Sequence, residues 1–104
     1  MENIFCQDNH ISDTALLDNL VHFATVMASE RYRNCRITFG EIKEFTLCFL
    51  PKIGERCETS GEIVYKRGRN LLVQTRISVD GETAAKCKVK FYKEEKNEDT
   101  GNIL

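Results

Sequence analysis

Three polar side chains near the start of the chain have the types and spacing for acid–base chemistry: His10, Asp18 and His22. Asp18 and His22 are four residues apart, so on a helix their side chains are neighbours. A carboxylate beside an apolar channel is pushed up in pKa and can act as general base or acid, and imidazole is the side chain that titrates near neutrality. His10 lies just ahead of the same segment. There the unpaired N–H groups at a helix start create a positive field suited to a carbonyl oxygen, although a loop histidine can equally be a surface residue.

Other candidates are fewer. Arg67 and Arg69 flank Gly68 at a turn, where they can meet phosphates or an acidic partner, or form an ordinary solvated hairpin. The five cysteines (Cys6, Cys35, Cys48, Cys57, Cys87) are odd in number, widely spaced and without a C-x-x-C pair or Cys/His cluster, so no metal site is expected. They read as reduced, mostly buried small hydrophobes, Cys48 and Cys57 included, and this favours the cytosol. A net charge of −1, from 15 basic and 16 acidic residues, removes the electrostatic argument for a nucleic-acid binder. The alternating Lys86, Lys88 and Lys90 read as a solvated sheet face. No leader-like sequence opens the chain, and residues 15–29, the least polar stretch, are interrupted by Asp18 and His22 and fall short of the roughly 20 residues that span a bilayer.

The elements that must position these residues are one helix and a run of strands. The segment from Asp13 to Arg31 lacks Gly and Pro and follows Ser12 and Asp13, either of which can cap a helix start. At 100° per residue Leu16, Leu20, Phe23 and Met27 share a face, which Leu17, Val21, Ala24 and Ala28 broaden until the helix must be largely buried. Thr14, Asp18, His22, Thr25 and Ser29 form a narrow polar stripe, which either faces water or lines a polar groove. The pattern then changes to alternation. Strands are expected over 42–50, 56–66, 71–79 and 82–92, with Gly40 as an interruption and a brief strand near Ile4, Phe5 and Cys6. Asp80-Gly81 is a hairpin signal. Residues 94–104 read as a charged, disordered tail after a single domain over 1–93.

A helix followed by a meander of long antiparallel strands predicts an α+β fold, a curved sheet around one central helix. A core of this size is marginal alone, so dimerisation is expected. Several segments resemble a known family. They are Phe39-Gly40-Glu41-Ile42-Lys43-Glu44-Phe45-Thr46-Leu47, Pro51-Lys52-Ile53-Gly54-Glu55, Gly68-Arg69-Asn70, Val79-Asp80-Gly81-Glu82-Thr83-Ala84-Ala85 and Val89-Lys90-Phe91. In this order and spacing they resemble hot-dog proteins, first the bacterial beta-hydroxyacyl-ACP dehydratases and second the hot-dog acyl-CoA thioesterases. The resemblance covers residues 10–92 and rests mostly on turns.

The resemblance implies a homodimer joined through its sheets, with acyl tunnels at the interface and a substrate carried on CoA or on the phosphopantetheine of an acyl carrier protein, with no other cofactor. Phe23, Met27, Phe45, Phe49, Tyr65 and Phe91 would line the tunnel or the core, and Arg67 and Arg69 would face CoA phosphates or the carrier. In the dehydratase register His10 and Asp18 match the family's histidine and acid, and His22 stands where the family has glutamine. The family's longer Pro- and Gly-rich stretch between them is absent. In the thioesterase register His10 and Asn19 have the spacing of a histidine and a catalytic acid, with Ile11-Ser12 replacing two glycines and Asn19 replacing the acid. Neither motif is intact: an asparagine at position 19 can be neither base nor nucleophile, but its amide can still orient a carbonyl or a water. The implied activities are therefore 3-hydroxyacyl-ACP dehydration or thioester hydrolysis, with a non-catalytic acyl-binding or assembly subunit as the alternative.

Overall fold

The computed structural model describes residues 6–7 and 10–95. Two short strands, β1 (Cys6–Gln7) and β2 (His10–Ile11), pair antiparallel and lead into helix α1 (Asp13–Arg31). Four long strands follow: β3 (Cys35–Leu47), β4 (Cys57–Arg67), β5 (Asn70–Val79) and β6 (Glu82–Glu95). They form one antiparallel sheet in the order β3-β6-β5-β4, so β3 and β4 are its edges. Ser12 is the helix cap: its Oγ accepts from the Ala15 amide at 3.1 Å. The β5–β6 hairpin turns on Asp80 and Gly81, both at positive φ (52° and 86°), as the dipeptide predicts.

The helix packs on one face of the sheet through Leu16, Leu20, Ala24 and Ala28, a line at i, i+4 spacing in which the two alanines bring its second half close. Leu71, Val73, Ile77, Ala85, Cys87, Val89 and Phe91 meet them from β5 and β6, as the alternation of those strands implies. Burying these side chains stabilises the fold by about 25 cal/mol per Å² of apolar surface removed from water. One polar group enters this core. The Thr75 hydroxyl donates to the Leu20 carbonyl at 3.1 Å and lies 3.6 Å from Cys87 Sγ, tying the middle of the helix to β5.

The first long strand departs from expectation. Gly40 does not interrupt β3, which starts at Cys35 and carries two bulges, between Phe39 and Glu41 and between Ile42 and Glu44. Each bulge inserts one extra residue, so inward-facing positions recur every third residue instead of every second. Phe39, Ile42 and Phe45 thus all stand opposite buried residues (Phe91, Val89 and Cys87) and face the helix side. Gly40 is needed at its bulge because a Cβ there would lie 2.9 Å from both the Lys90 carbonyl oxygen and the Tyr92 ring. Bulges bend a strand, and β3 carries two of them at this edge of the sheet.

Two further expectations change. The last strand runs to Glu95, so Glu94 and Glu95 pair with Arg36 and Cys35 and do not belong to a tail. Residues 96–104, and the strand expected at Ile4 and Phe5, lie outside the described residues. The helix is not largely buried: Phe23 and Met27 are half-buried, and Val26 is 45% exposed. Its deep face is narrower than the apolar surface: only the line Leu16, Leu20, Ala24 and Ala28 is fully buried against the sheet. No helix among the described residues is long and apolar enough to cross a membrane.

Candidate functional site

The polar stripe of α1 points away from the sheet, with Thr14, Asp18, His22, Thr25 and Ser29 all exposed. Its spacing sets it roughly opposite the Leu16–Ala28 line, so within one chain it faces solvent and is not enclosed in a groove. Asp18 and His22 are together on it, one turn apart. Asn19 follows a different course. It lies on the flank toward β4, where the Thr59 hydroxyl donates to its Oδ1 at 2.9 Å, linking residues 40 apart in sequence. His22 is three residues beyond Asn19 and four beyond Asp18, so it is the side chain common to both.

Thr59 was not singled out by the sequence. The available signal was its place at an inward position of β4, whose Cys57, Thr59, Gly61 and Ile63 stand opposite Val79, Ile77, Thr75 and Val73. Gly61 permits the meeting. A Cβ there would lie 2.9 Å from Thr75 Cγ2 and 3.1 Å from Met27 Sδ, so the bare glycine lets α1 settle against the edge strand.

The consequence is chemical. With its Oδ1 accepting the Thr59 hydroxyl, the Asn19 amide is fixed, and Nδ2 is left to offer two N–H donors. Held this way, the group can donate to an oxygen that gains negative charge but cannot remove a proton. His10 is half-buried in β2, paired with Gln7 and bridged to Lys52, and so lies at the helix start as expected.

The two arginines separate. Arg69 is held by Glu94, which also lies 3.9 Å from Arg36, whereas Arg67 makes no ion pair among the described residues. Tyr65 leaves the tunnel set: after the bulge between Ile63 and Tyr65 it stands opposite Leu72, on the face away from the helix, and is 45% exposed. Phe91 is wholly core, while Phe23, Met27, Phe45 and Phe49 are half-buried.

The cysteines correct a second expectation. Cys35, Cys48, Cys57 and Cys87 are free thiols, but only Cys87 is buried; Cys48 and Cys57 are exposed. Cys48 sits where β3 ends, and Cys57 starts an unpaired edge, positions that alternation alone does not reveal. Desolvation first and the neighbouring Glu55 second push the Cys57 thiol up. Alkylation of Cys57 should therefore rise with pH later than for an ordinary thiol, and Glu55→Gln should move its rate profile to lower pH, which peptide mass mapping of iodoacetamide labelling will read. Among the described residues no group of His, Cys, Asp and Glu can hold a metal ion.

No family model matches the sequence, and no curated protein matches it. Solved structures do. A hypothetical protein from Thermus thermophilus is similar over 92% of this chain and 80% of its own, at 16% identity and TM-score 0.72. An acyl-CoA hydrolase from Staphylococcus aureus, in complex with butyryl coenzyme A, coenzyme A and coenzyme A disulfide, is similar over 88% of this chain at 14% identity and TM-score 0.78. The match spans 57% of that protein's length. The BH2602 protein from Bacillus halodurans, with CoA, is similar over 89% of this chain and 66% of its own, at 14% identity and TM-score 0.75. One helix lying across a four-stranded antiparallel sheet, shared with acyl-CoA thioesterases over most of its length, gives this chain the hot-dog fold.

Proposed function

We propose that this chain hydrolyses acyl-CoA thioesters as a homodimer, with Asn19 and Thr59 polarising the thioester carbonyl. The single observation that carries the reading is the 2.9 Å hydrogen bond that fixes the Asn19 amide beside the exposed Asp18–His22 stripe. Nδ2 of Asn19 donates to the carbonyl oxygen as it gains charge. His22 takes a proton from a water, whose oxygen bonds to the carbonyl carbon; the C–S bond breaks, and the CoA thiolate recovers the proton from the imidazolium. The Asp18 carboxylate, one turn away on the same face, is placed to pair with the imidazolium as it forms. His10 lies at the helix start, nearly two turns before Asn19, and takes no part in this step. Arg67 is the arginine left to meet CoA phosphates. Binding of coenzyme A by the S. aureus and B. halodurans proteins supports CoA over an acyl carrier protein as the carrier.

The dimer edge is β3. Phe39, Ile42 and Leu47 are 50%, 38% and 41% exposed although they face the helix side, so this unpaired edge presents large apolar groups that a second copy would cover. Light scattering should give a mass near twice 12.0 kDa, and Ile42→Lys should shift it to that of one chain. A monomeric wild-type protein would rule out the homodimer.

The activity is tested on a panel of acyl-CoA and 3-hydroxyacyl-ACP thioesters, following thiol release and enoyl formation separately. Thiol release supports hydrolysis, and enoyl formation would transfer the chain to the dehydratases. Silence in both, with acyl-CoA binding retained, would make it an acyl-binding subunit.

A further inference from the structure

The sheet face turned away from the helix carries a charge arrangement that the thioester site does not use. Strand register sets Ser60 opposite Arg76, Arg76 opposite Lys86, and Lys86 opposite Thr46. The four form one row across β4, β5, β6 and β3: hydroxyl, guanidinium, ammonium, hydroxyl. Their strand neighbours Thr75, Ile77, Ala85 and Cys87 are buried on the helix side, so the row faces outward. Like charges directly opposite each other on adjacent strands are destabilising. Here no ion pair offsets them: neither Arg76 nor Lys86 makes one among the described residues. The next row shows the usual remedy: Lys88 lies 3.5 Å from Glu44, and Gln74 separates it from Glu62. The surface is hollowed on both sides of the cationic pair. One hollow is bordered by Glu44, Thr46, Lys86 and Lys88, the other by Ser60, Glu62 and Arg76, and Gln74 borders both.

We infer that this row is an oxyanion site for a phosphate-bearing ligand. A phosphate seated between Arg76 and Lys86 takes two parallel N–H bonds from the guanidinium fork and one from the ammonium, and neutralises the opposed charges. Thr46 and Ser60 flank the cationic pair, each with a hydroxyl that can donate to the outer oxygens of the same anion. Glu44 and Glu62, one row away, confine the anion to the Arg76–Lys86 row. A local arrangement that costs stability without a structural return is where a ligand is to be sought.

The full-length chain is titrated with inorganic pyrophosphate and, separately, with adenosine 3′,5′-bisphosphate, at constant ionic strength set by sodium chloride, and followed by backbone amide NMR and thermal unfolding. No thioester is present, so failure here is distinct from failure of the hydrolase reading. Saturable shifts centred on residues 46, 60, 76 and 86, with a rise in Tm, are expected. Lys86→Gln should weaken binding at least tenfold, and because it removes a repulsion, its Tm without ligand should equal or exceed that of the wild type. At least tenfold tighter binding of the nucleotide would identify a nucleotide ligand, and equal binding the phosphate group alone; both uphold the site. Shifts that do not saturate at millimolar ligand, binding unchanged in Lys86→Gln, or a lower ligand-free Tm in that variant would each overturn it.

Discussion

Replacing Asn19 with alanine is expected to lower kcat/KM for acyl-CoA hydrolysis by about 10²–10³, the loss seen when a single donor to a developing oxyanion is removed. The fold should survive, because Asn19 is exposed and its side-chain bond is the one made to Thr59. The loss should fall on kcat more than on KM, since the amide acts most strongly where negative charge appears on the carbonyl oxygen. Thr59→Val keeps the amide but frees it to rotate, and about a tenfold loss is expected. Asn19→Asp separates two roles for the position. The hot-dog thioesterase pattern has a catalytic acid at the same spacing from the histidine, so an aspartate that raises turnover would make Asn19 a degraded acid. A carboxylate cannot donate to a carbonyl, so if the amide polarises the substrate the aspartate variant is as impaired as the alanine one. Parallel kinetics on the three variants decide between them.

The legible part of this molecule was its regular part. The helix from Asp13 to Arg31 follows from a segment free of Gly and Pro behind a capping serine, and β5 and β6 follow from strict alternation. Those are local patterns, and the chain's own periodicity carries them. β3 was only partly legible because two bulges break its period, so Phe39, Ile42 and Phe45 do not read as one face until register is known. The candidate site divides in the same way. Asp18 and His22 are neighbours by helical arithmetic alone. The partner that sets the Asn19 amide comes from 40 residues away, and only the packing of the helix on β4 reveals it. The exposure of Cys48 and Cys57 likewise depends on which strands end up as edges, a property of sheet order and not of any local segment.

Packing of that helix on β4 also defines the second large effect, the substitution of Gly61 by valine. Alanine at this position gains about 0.5–1 kcal/mol by restricting the unfolded backbone. Against this, its Cβ meets Thr75 Cγ2 at 2.9 Å, the Gln74 carbonyl oxygen at 3.1 Å and Met27 Sδ at 3.1 Å. The methionine can swing aside, but Thr75 cannot do so freely, because its hydroxyl holds the Leu20 carbonyl at 3.1 Å. The clash is thus transmitted to the helix at two points, Met27 and Leu20. Valine adds two more methyl groups at the same spot, and a loss of about 3 kcal/mol is expected, at the upper end of the usual overpacking penalty. Urea unfolding measures it as a lower midpoint at unchanged slope. Met27→Ala in the Gly61→Val background should recover part of the loss if the helix contact is the cause, and a double-mutant cycle isolates that share. Lifting α1 from β4 also stretches the Asn19–Thr59 bond, so under conditions where the variant remains folded its thioester turnover should fall toward that of Thr59→Val. Full turnover in a destabilised but folded Gly61→Val protein would show that the hydrogen bond does not govern the chemistry.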